Sequence, residues 1–267
     1  MCGIVGFGAV GRANALGFSR KGANIIVFDP FKKQSEFPQA EDIAGLSGAD
    51  FALLCLPTPT KKDGRQDLSA IESVFSSLPK AFPPTIVLRS TVLPGTSRGL
   101  SEKFRRRIVY FPEFLREKTA LEDFLNPERH VIGTPSGNAD TSFGRFLRKA
   151  FPTIQTFSMT FEEAETAKYV SNAFLAAKIS FFNSIGRNLS GFTESARRAV
   201  SADKRIGSYG TFPGKPFSGP CLEKDARAFA RKYPGLYFVR ASLSENKLAG
   251  KNAQVRQKSR RKTRRRA

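Results

Sequence analysis

The chain has 267 residues, 40% hydrophobic and 25% charged, which suits one large or two small globular domains with a real core. No apolar run reaches the roughly 18–20 residues of a membrane span, Lys168 and Lys178 interrupt the best candidate, and Met1–Gly6 lacks the features of a signal peptide. Three scattered cysteines (Cys2, Cys55, Cys221) cannot form a disulfide framework, so a reducing cytoplasmic compartment is expected; the single histidine, His130, argues against His-based metal sites and a Ser-His-Asp triad. Lys and Arg number 44 against 23 acidic residues, a net +21, and the excess is uneven. Residues 247–267 hold ten basic and no acidic side chains, leaving +11 on the remainder. Self-repulsion predicts that this tail, taken as 246–267, is disordered and attracts polyanions.

In chain order, short apolar strands are expected at Cys2–Val5, Asn24–Phe28, Phe51–Leu56, Thr85–Leu88, Arg107–Tyr110 and His130–Gly133, with helical stretches between them. Short, non-alternating apolar strands separated by helices indicate a parallel sheet covered on both faces. The expected fold class is therefore α/β, a doubly wound parallel sheet of Rossmann type over residues 1–158. A helical domain over 159–245 follows. Its main element is one long central helix from Thr160 to about Leu189, in which Ala164, Ala167, Val170, Ala173, Phe174, Ala177 and Phe181 recur at helical spacing and Thr160 with Glu163 forms a capping box. Shorter helices are expected over Phe192–Ala202 and from about Cys221 to Lys232, joined by a Gly/Pro/aromatic loop, Ile206–Pro220. His130, in a strand, reads as structural, and Cys2 and Cys55 read as buried.

The first strand runs into Gly6-Phe7-Gly8-Ala9-Val10-Gly11 and then a helix, and Asp29 closes the next strand 18 residues beyond Gly11. Glycines in this setting permit a tight turn and let a pyrophosphate approach the amides of a helix N-terminus. Asp29 would accept from ribose hydroxyls and repel a 2′-phosphate, favouring NAD over NADP, with Lys32 and Lys33 nearby working against that preference.

Five further motifs follow in order: Ser90-Thr91-Val92-Leu93-Pro94-Gly95-Thr96; Pro112-Glu113-Phe114-Leu115-Arg116-Glu117 with Leu121–Phe124; Asn126-Pro127-Glu128-Arg129; Lys168-Tyr169-Val170-Ser171-Asn172-Ala173-Phe174; and Gly219-Pro220-Cys221-Leu222-Glu223-Lys224-Asp225. From Gly3 to about Phe229 the chain closely resembles the UDP-glucose/GDP-mannose dehydrogenase family, which oxidises the primary alcohol of a nucleotide sugar to a carboxylate. The resemblance implies two NAD per sugar and a thiohemiacetal and thioester on Cys221, with UDP-glucose the leading substrate. Cys221 also falls at a predicted helix start, where the dipole favours thiolate. Lys168 and Asn172, four apart on one helix face, would donate to the oxyanion, and Asp225 would handle a proton through water. Glu117 would activate the hydrolytic water, and Thr91 would position water and nicotinamide. Cofactor contacts are implied for Gly6, Gly8, Val10, Gly11, Asp29, Lys33, Thr58, Thr91, Glu117 and Lys224. Sugar contacts are implied for Glu113, Phe114, Leu115, Arg116, Lys168, Asn172, Arg205, Phe217 and Gly219.

Two departures stand out. Family members show a glycine-rich run before the cysteine, where this chain reads Pro216-Phe217-Ser218-Gly219-Pro220, and many carry proline where Glu223 stands. The family also continues into a second Rossmann-like domain that grips the nucleotide, and the chain is expected to lack it. A homodimer through the long helix and a separate chain supplying the nucleotide-binding half are the expected partners. A catalytically impaired remnant that binds NAD or a partner, and a nucleic-acid-associated protein using its basic tail, are the alternative readings.

Overall fold

The computed structural model describes residues 1–80, 82, 85–217 and 221–264. They divide into two compact units, Met1–Thr58 with Gln66–Lys168, and Pro59–Arg65 with the chain from Tyr169 onward.

The first unit is built on a seven-stranded sheet. Its strands are β1 (Cys2–Val5), β2 (Ile25–Phe28), β3 (Phe51–Leu54), β4 (Ile86–Leu88), β5 (Ile108–Tyr110), β6 (His130–Thr134) and β7 (Thr156–Thr160), in the order β2-β1-β3-β4-β5-β6-β7. Helices α1 (Ala9–Arg20), α2 (Ser69–Ser77), α3 (Thr96–Phe104), α4 (Ala120–Leu125) and α5 (Ser142–Ala150) connect them. Strand residues alternate between two apolar layers. Ile4, Phe51, Leu53, Val87 and Val109 join one with Phe18 and Phe143, while Val5, Ala52, Leu54, Leu88 and Ile108 join the other with Ile71 and Phe75. That is why the strands lack polar alternation: both faces are covered. The first layer is largely phenylalanine, with edge-to-face pairs such as Phe18–Phe124 at 4.9 Å and Phe111–Phe143 at 5.0 Å between centroids.

The doubly wound, Rossmann-type sheet is as the sequence predicts, with two differences. β5 and β6 pair antiparallel, Tyr110 opposite Gly133, so the sheet is parallel except at this junction. The apolar run of a buried strand does not encode its direction. β7 is a strand that the hydrophobic pattern misses, because Thr156-Phe157-Ser158-Met159-Thr160 is a half-exposed edge rather than a buried apolar run.

The long helix is present as α6 (Phe161–Asn188), and its capping box forms: the Thr160 amide donates to Glu163 Oε2 at 2.8 Å. The units divide at Lys168, inside α6, rather than at residue 158. The reason is packing: Phe161 and Ala164 belong to the second apolar layer of the sheet, and the buried Glu165 accepts from the Gly95 and Ser97 amides at 2.6 and 2.7 Å, holding the start of α3. The second unit adds α7 (Glu194–Ser201), α8 (Leu222–Lys232) and α9 (Tyr237–Arg264). α9 lies on α6 through Ser180 Oγ donating to Ser242 O at 2.9 Å and an Arg187–Glu245 ion pair. Where charge repulsion predicts no fixed structure, the backbone stays helical to Arg264, in a stretch free of Pro and Gly beyond Gly250.

His130 and Glu165 titrate in opposite senses. Burial, helped by the Arg89 charge, pushes the His130 imidazole down to about 4, so its contribution to stability is lost as pH falls from about 6.5 towards 4. Burial pushes Glu165 up to about 7, so its contribution is full below about 4.5 and lost as pH rises through 7. The two nearly cancel between about pH 4.5 and 6.5. Denaturant titrations should therefore show His130→Phe gaining stability towards acid relative to wild type, and Glu165→Gln losing it, each by up to about 3 kcal/mol.

Candidate active site

In the first unit the glycine loop sits at the end of β1, beside the switch in strand order between β1 and β3, where open α/β sheets bind ligands. Gly6 has φ +87°, and a Cβ there would lie 2.6 Å from Cys55 O; one on Gly11 would lie 1.9 Å from Gly6 O. Both positions demand glycine for the turn itself. Gly8, the N-cap of α1, differs: it is exposed, a Cβ would meet nothing within 4 Å, and no side chain caps the helix. Val10 lies half-buried in the first turn, its carbonyl accepting from Asn14 Nδ2 at 2.7 Å. The helix N-terminus is therefore open towards an anion.

Asp29 closes the same loop. Its Oδ2 accepts from the Phe7 amide at 2.7 Å and its Oδ1 from the Phe31 and Lys32 amides at 2.9 and 3.1 Å. A carboxylate oxygen can accept twice, so Oδ2 suits a ribose hydroxyl as well. Lys32 Nζ turns back to Phe7 O at 3.1 Å, and Lys33 stands exposed. The uncapped amides, the space over Gly8 and the fixed carboxylate fit the pyrophosphate and ribose of NAD.

A second group in this unit surrounds Glu113. Lys168 is buried, with Nζ 3.9 Å from Glu113 Oε2 and 5.0 Å from the Phe114 ring centroid. Arg129 lies over the same ring at 4.6 Å. Buried Arg89 donates through Nη1 to Phe111 O and Pro112 O at 3.0 and 2.5 Å, fixing the backbone before Glu113; burial draws its guanidinium down to about 10 against the pull of Glu113. Thr91 is held through its carbonyl, which accepts from Thr58 Oγ1 and Gln66 Nε2 at 2.9 and 2.8 Å, while Gln66 Oε1 accepts from the Leu93 amide at 3.1 Å. Leu115 packs on the first apolar layer, Arg116 pairs with Asp123, and the Glu117 backbone opens a short 3-10 turn. The Glu117 side chain lies outside the described part of the structure.

In the second unit Asn172, Asp225 and Lys224 come together. Asn172 Nδ2 donates to Asp225 Oδ2 at 2.7 Å, both residues being buried, and Lys224 Nζ pairs with Oδ1. The Lys224 carbonyl accepts from Thr60 Oγ1 at 3.0 Å, tying Pro59–Arg65 to this unit. Cys221 is the N-cap of α8, and its carbonyl accepts the Asp225 amide at 2.9 Å. Cys221 is exposed, whereas burial pushes Cys2 far up and Cys55 up to about 12. Phe217 is buried. Arg205 is not gathered with these residues; it is exposed and paired with Asp203. Gly219 lies outside the described residues.

Family models for the NAD binding domain and the central domain of the UDP-glucose/GDP-mannose dehydrogenase family match residues 31–151 and 162–246. The chain belongs to this family. It is 34% identical over 209 residues to a UDP-glucose 6-dehydrogenase of Pseudomonas aeruginosa, covering 70% of this chain and 45% of that one. A UDP-glucose 6-dehydrogenase of Campylobacter jejuni is 31% identical over 93% of this chain and 72% of its own length. The solved structure of a UDP-glucose dehydrogenase from Pyrobaculum islandicum superposes with a TM-score of 0.79 at 28% identity, over 92% of this chain and 68% of that one. The chain spans about half the length of several of these curated relatives. NAD is the cofactor of its N-terminal domain.

Sequence reasoning missed Arg89, Gln66 and Glu165. Two carried a signal, Arg89 as a charged residue directly after an apolar strand and Glu165 as an acid within the apolar stripe of a helix, while Gln66 sits in a polar loop that offers none. The glycine geometry gives a direct test. Gly8→Ala should keep its melting temperature yet weaken NAD binding by tenfold or more in titration calorimetry. Gly11→Ala should lose stability by about 2 kcal/mol or more through overpacking. A Gly8→Ala protein with unaltered NAD affinity would move the cofactor off this helix.

Proposed function

We propose that the chain catalyses the NAD-dependent oxidation of a nucleotide sugar's primary alcohol to a carboxylate, with UDP-glucose as substrate and Cys221 as the covalent nucleophile. The observation that carries this reading is the second unit's arrangement: an exposed thiol at the N-cap of α8, with Asp225 one turn on and hydrogen-bonded to Asn172. The names of the relatives support the substrate class.

Bound NAD supplies the hydride acceptor, two equivalents per sugar. The first oxidation leaves an aldehyde. The Cys221 thiolate adds to its carbon, and the carbonyl π pair moves to oxygen. The buried Lys168 ammonium and the Asn172 carboxamide donate to that oxygen. Loss of a second hydride from the carbon gives a thioester. Water, activated by Glu117, attacks the acyl carbon and the thiolate departs, leaving the carboxylate. Asp225 takes up protons through water, and Thr91 orients the water and the nicotinamide. Glu113, Phe114, Leu115 and Arg116, with Arg205, Phe217 and Gly219, hold the sugar. For each sugar the balance is one water consumed, two NAD reduced and three protons released.

A second copy of the chain is the proposed partner of α6, on which Val170, Phe174 and Phe181 are exposed at helical spacing. Light scattering should give a dimer that Phe174→Glu converts to monomer.

With UDP-glucose, absorbance at 340 nm should report two NADH per sugar, and Cys221→Ser should halt net turnover. No change with UDP-glucose, GDP-mannose or UDP-N-acetylmannosamine would favour a remnant that binds without turnover.

A further inference from the structure

The loop from Thr211 to Phe217, which leads to Cys221, is anchored by side chains from three helices of the second unit. At its start Thr211 Oγ1 is bonded to Ser201 Oγ and Arg197 Nη1, both on α7, at 3.0 and 3.2 Å. Asn183 on α6 meets it next: Oδ1 accepts from the Gly214 amide at 2.7 Å and Nδ2 donates to Lys215 O at 2.8 Å. Asn246 on α9 repeats the pattern at a single residue, Oδ1 accepting from the Phe217 amide at 2.7 Å and Nδ2 donating to Phe217 O at 2.9 Å. Both asparagines are buried. One turn from Asn183, Gly186 admits the loop: a Cβ there would lie 2.3 Å from Pro213 Cβ.

We propose that Asn183 and Asn246 are positioning residues for Cys221, two carboxamide clamps that fix the loop backbone and thereby hold the thiol at the start of α8. A carboxamide presents a donor and an acceptor side by side, as a neighbouring strand does. Each clamp satisfies a backbone N–H and C=O that would otherwise be stranded against a helix. Only three residues lie between Phe217 and Cys221, so a tether this short lets freedom at Phe217 widen the range open to the thiol and carry it from the helix terminus, where amides favour an anion. The role of Cys221 as nucleophile comes from the proposed function; the clamps add which residues set its place.

Iodoacetamide labelling of the intact protein, resolved by cysteine, tests this. Asn246→Ala and Asn183→Ala should each slow labelling of Cys221 at pH 7 by about threefold or more and match wild type near pH 9.5, with Cys2 and Cys55 still protected. Ser244→Ala, an exposed change on α9, should label as wild type does. Unchanged Cys221 rates in both asparagine variants, or labelling of Cys2 and Cys55 in both, overturns the proposal, since the asparagines would then be inert or merely hold the fold. Full turnover by Cys221→Ser would instead defeat the nucleophile reading, and the labelling rates would still decide whether the clamps position the thiol.

Discussion

An ammonium buried in a protein interior must be paid for locally, and in the first unit Lys168 sets that condition. Desolvation costs several kcal/mol for such an ion, and the Glu113 carboxylate and the Phe114 face supply the compensation. Glu113 is itself buried, so its backbone must not move. Arg89 secures it by bonding to the two preceding carbonyls. The Pro112–Phe114 stretch is thus held between two cations that share one buried carboxylate.

The same economy recurs where loops must hold a shape without secondary structure. Gln66 bridges Thr91 and Leu93, Asn183 bridges Gly214 and Lys215, and Asn246 closes on both polar groups of Phe217. All three are neutral, so none adds the desolvation penalty of an ion, and each replaces two hydrogen bonds that a loop cannot make with itself. Arg89 and Glu165 do the same task with a charge, on two carbonyls and two amides respectively, and each is buried.

Much of this was legible in the sequence because it depends on local order. The six buried strands are apolar runs, the glycine spacing fixes a turn and a helix start, and Thr160 with Glu163 caps α6. What could not be read depends on partners distant in the chain. The reversal of β6 against β5 leaves no trace in composition. β7 is polar because it lies at an edge. Asn183 and Asn246 look like ordinary polar helix residues until the loop at 211–217 is laid against them. Arg205 is a further case: its motif points to a sugar contact, while its exposed guanidinium pairs locally with Asp203 two residues away, and a local pair is all that a single chain can display.

The three thiols show how environment, rather than residue type, assigns chemistry. Cys2 lies inside β1, and Cys55 follows β3 beside the glycine turn; burial raises both, so neither offers a thiolate near neutral pH. Cys221 is exposed and heads a helix whose first turn carries Asp225. A carboxylate so near would by itself oppose a second anion, but Asp225 is already engaged by the Lys224 ammonium and the Asn172 carboxamide. The other acid of that turn, Glu223, is itself paired with Arg227, so both carboxylates at the head of α8 are matched by cations of the same helix.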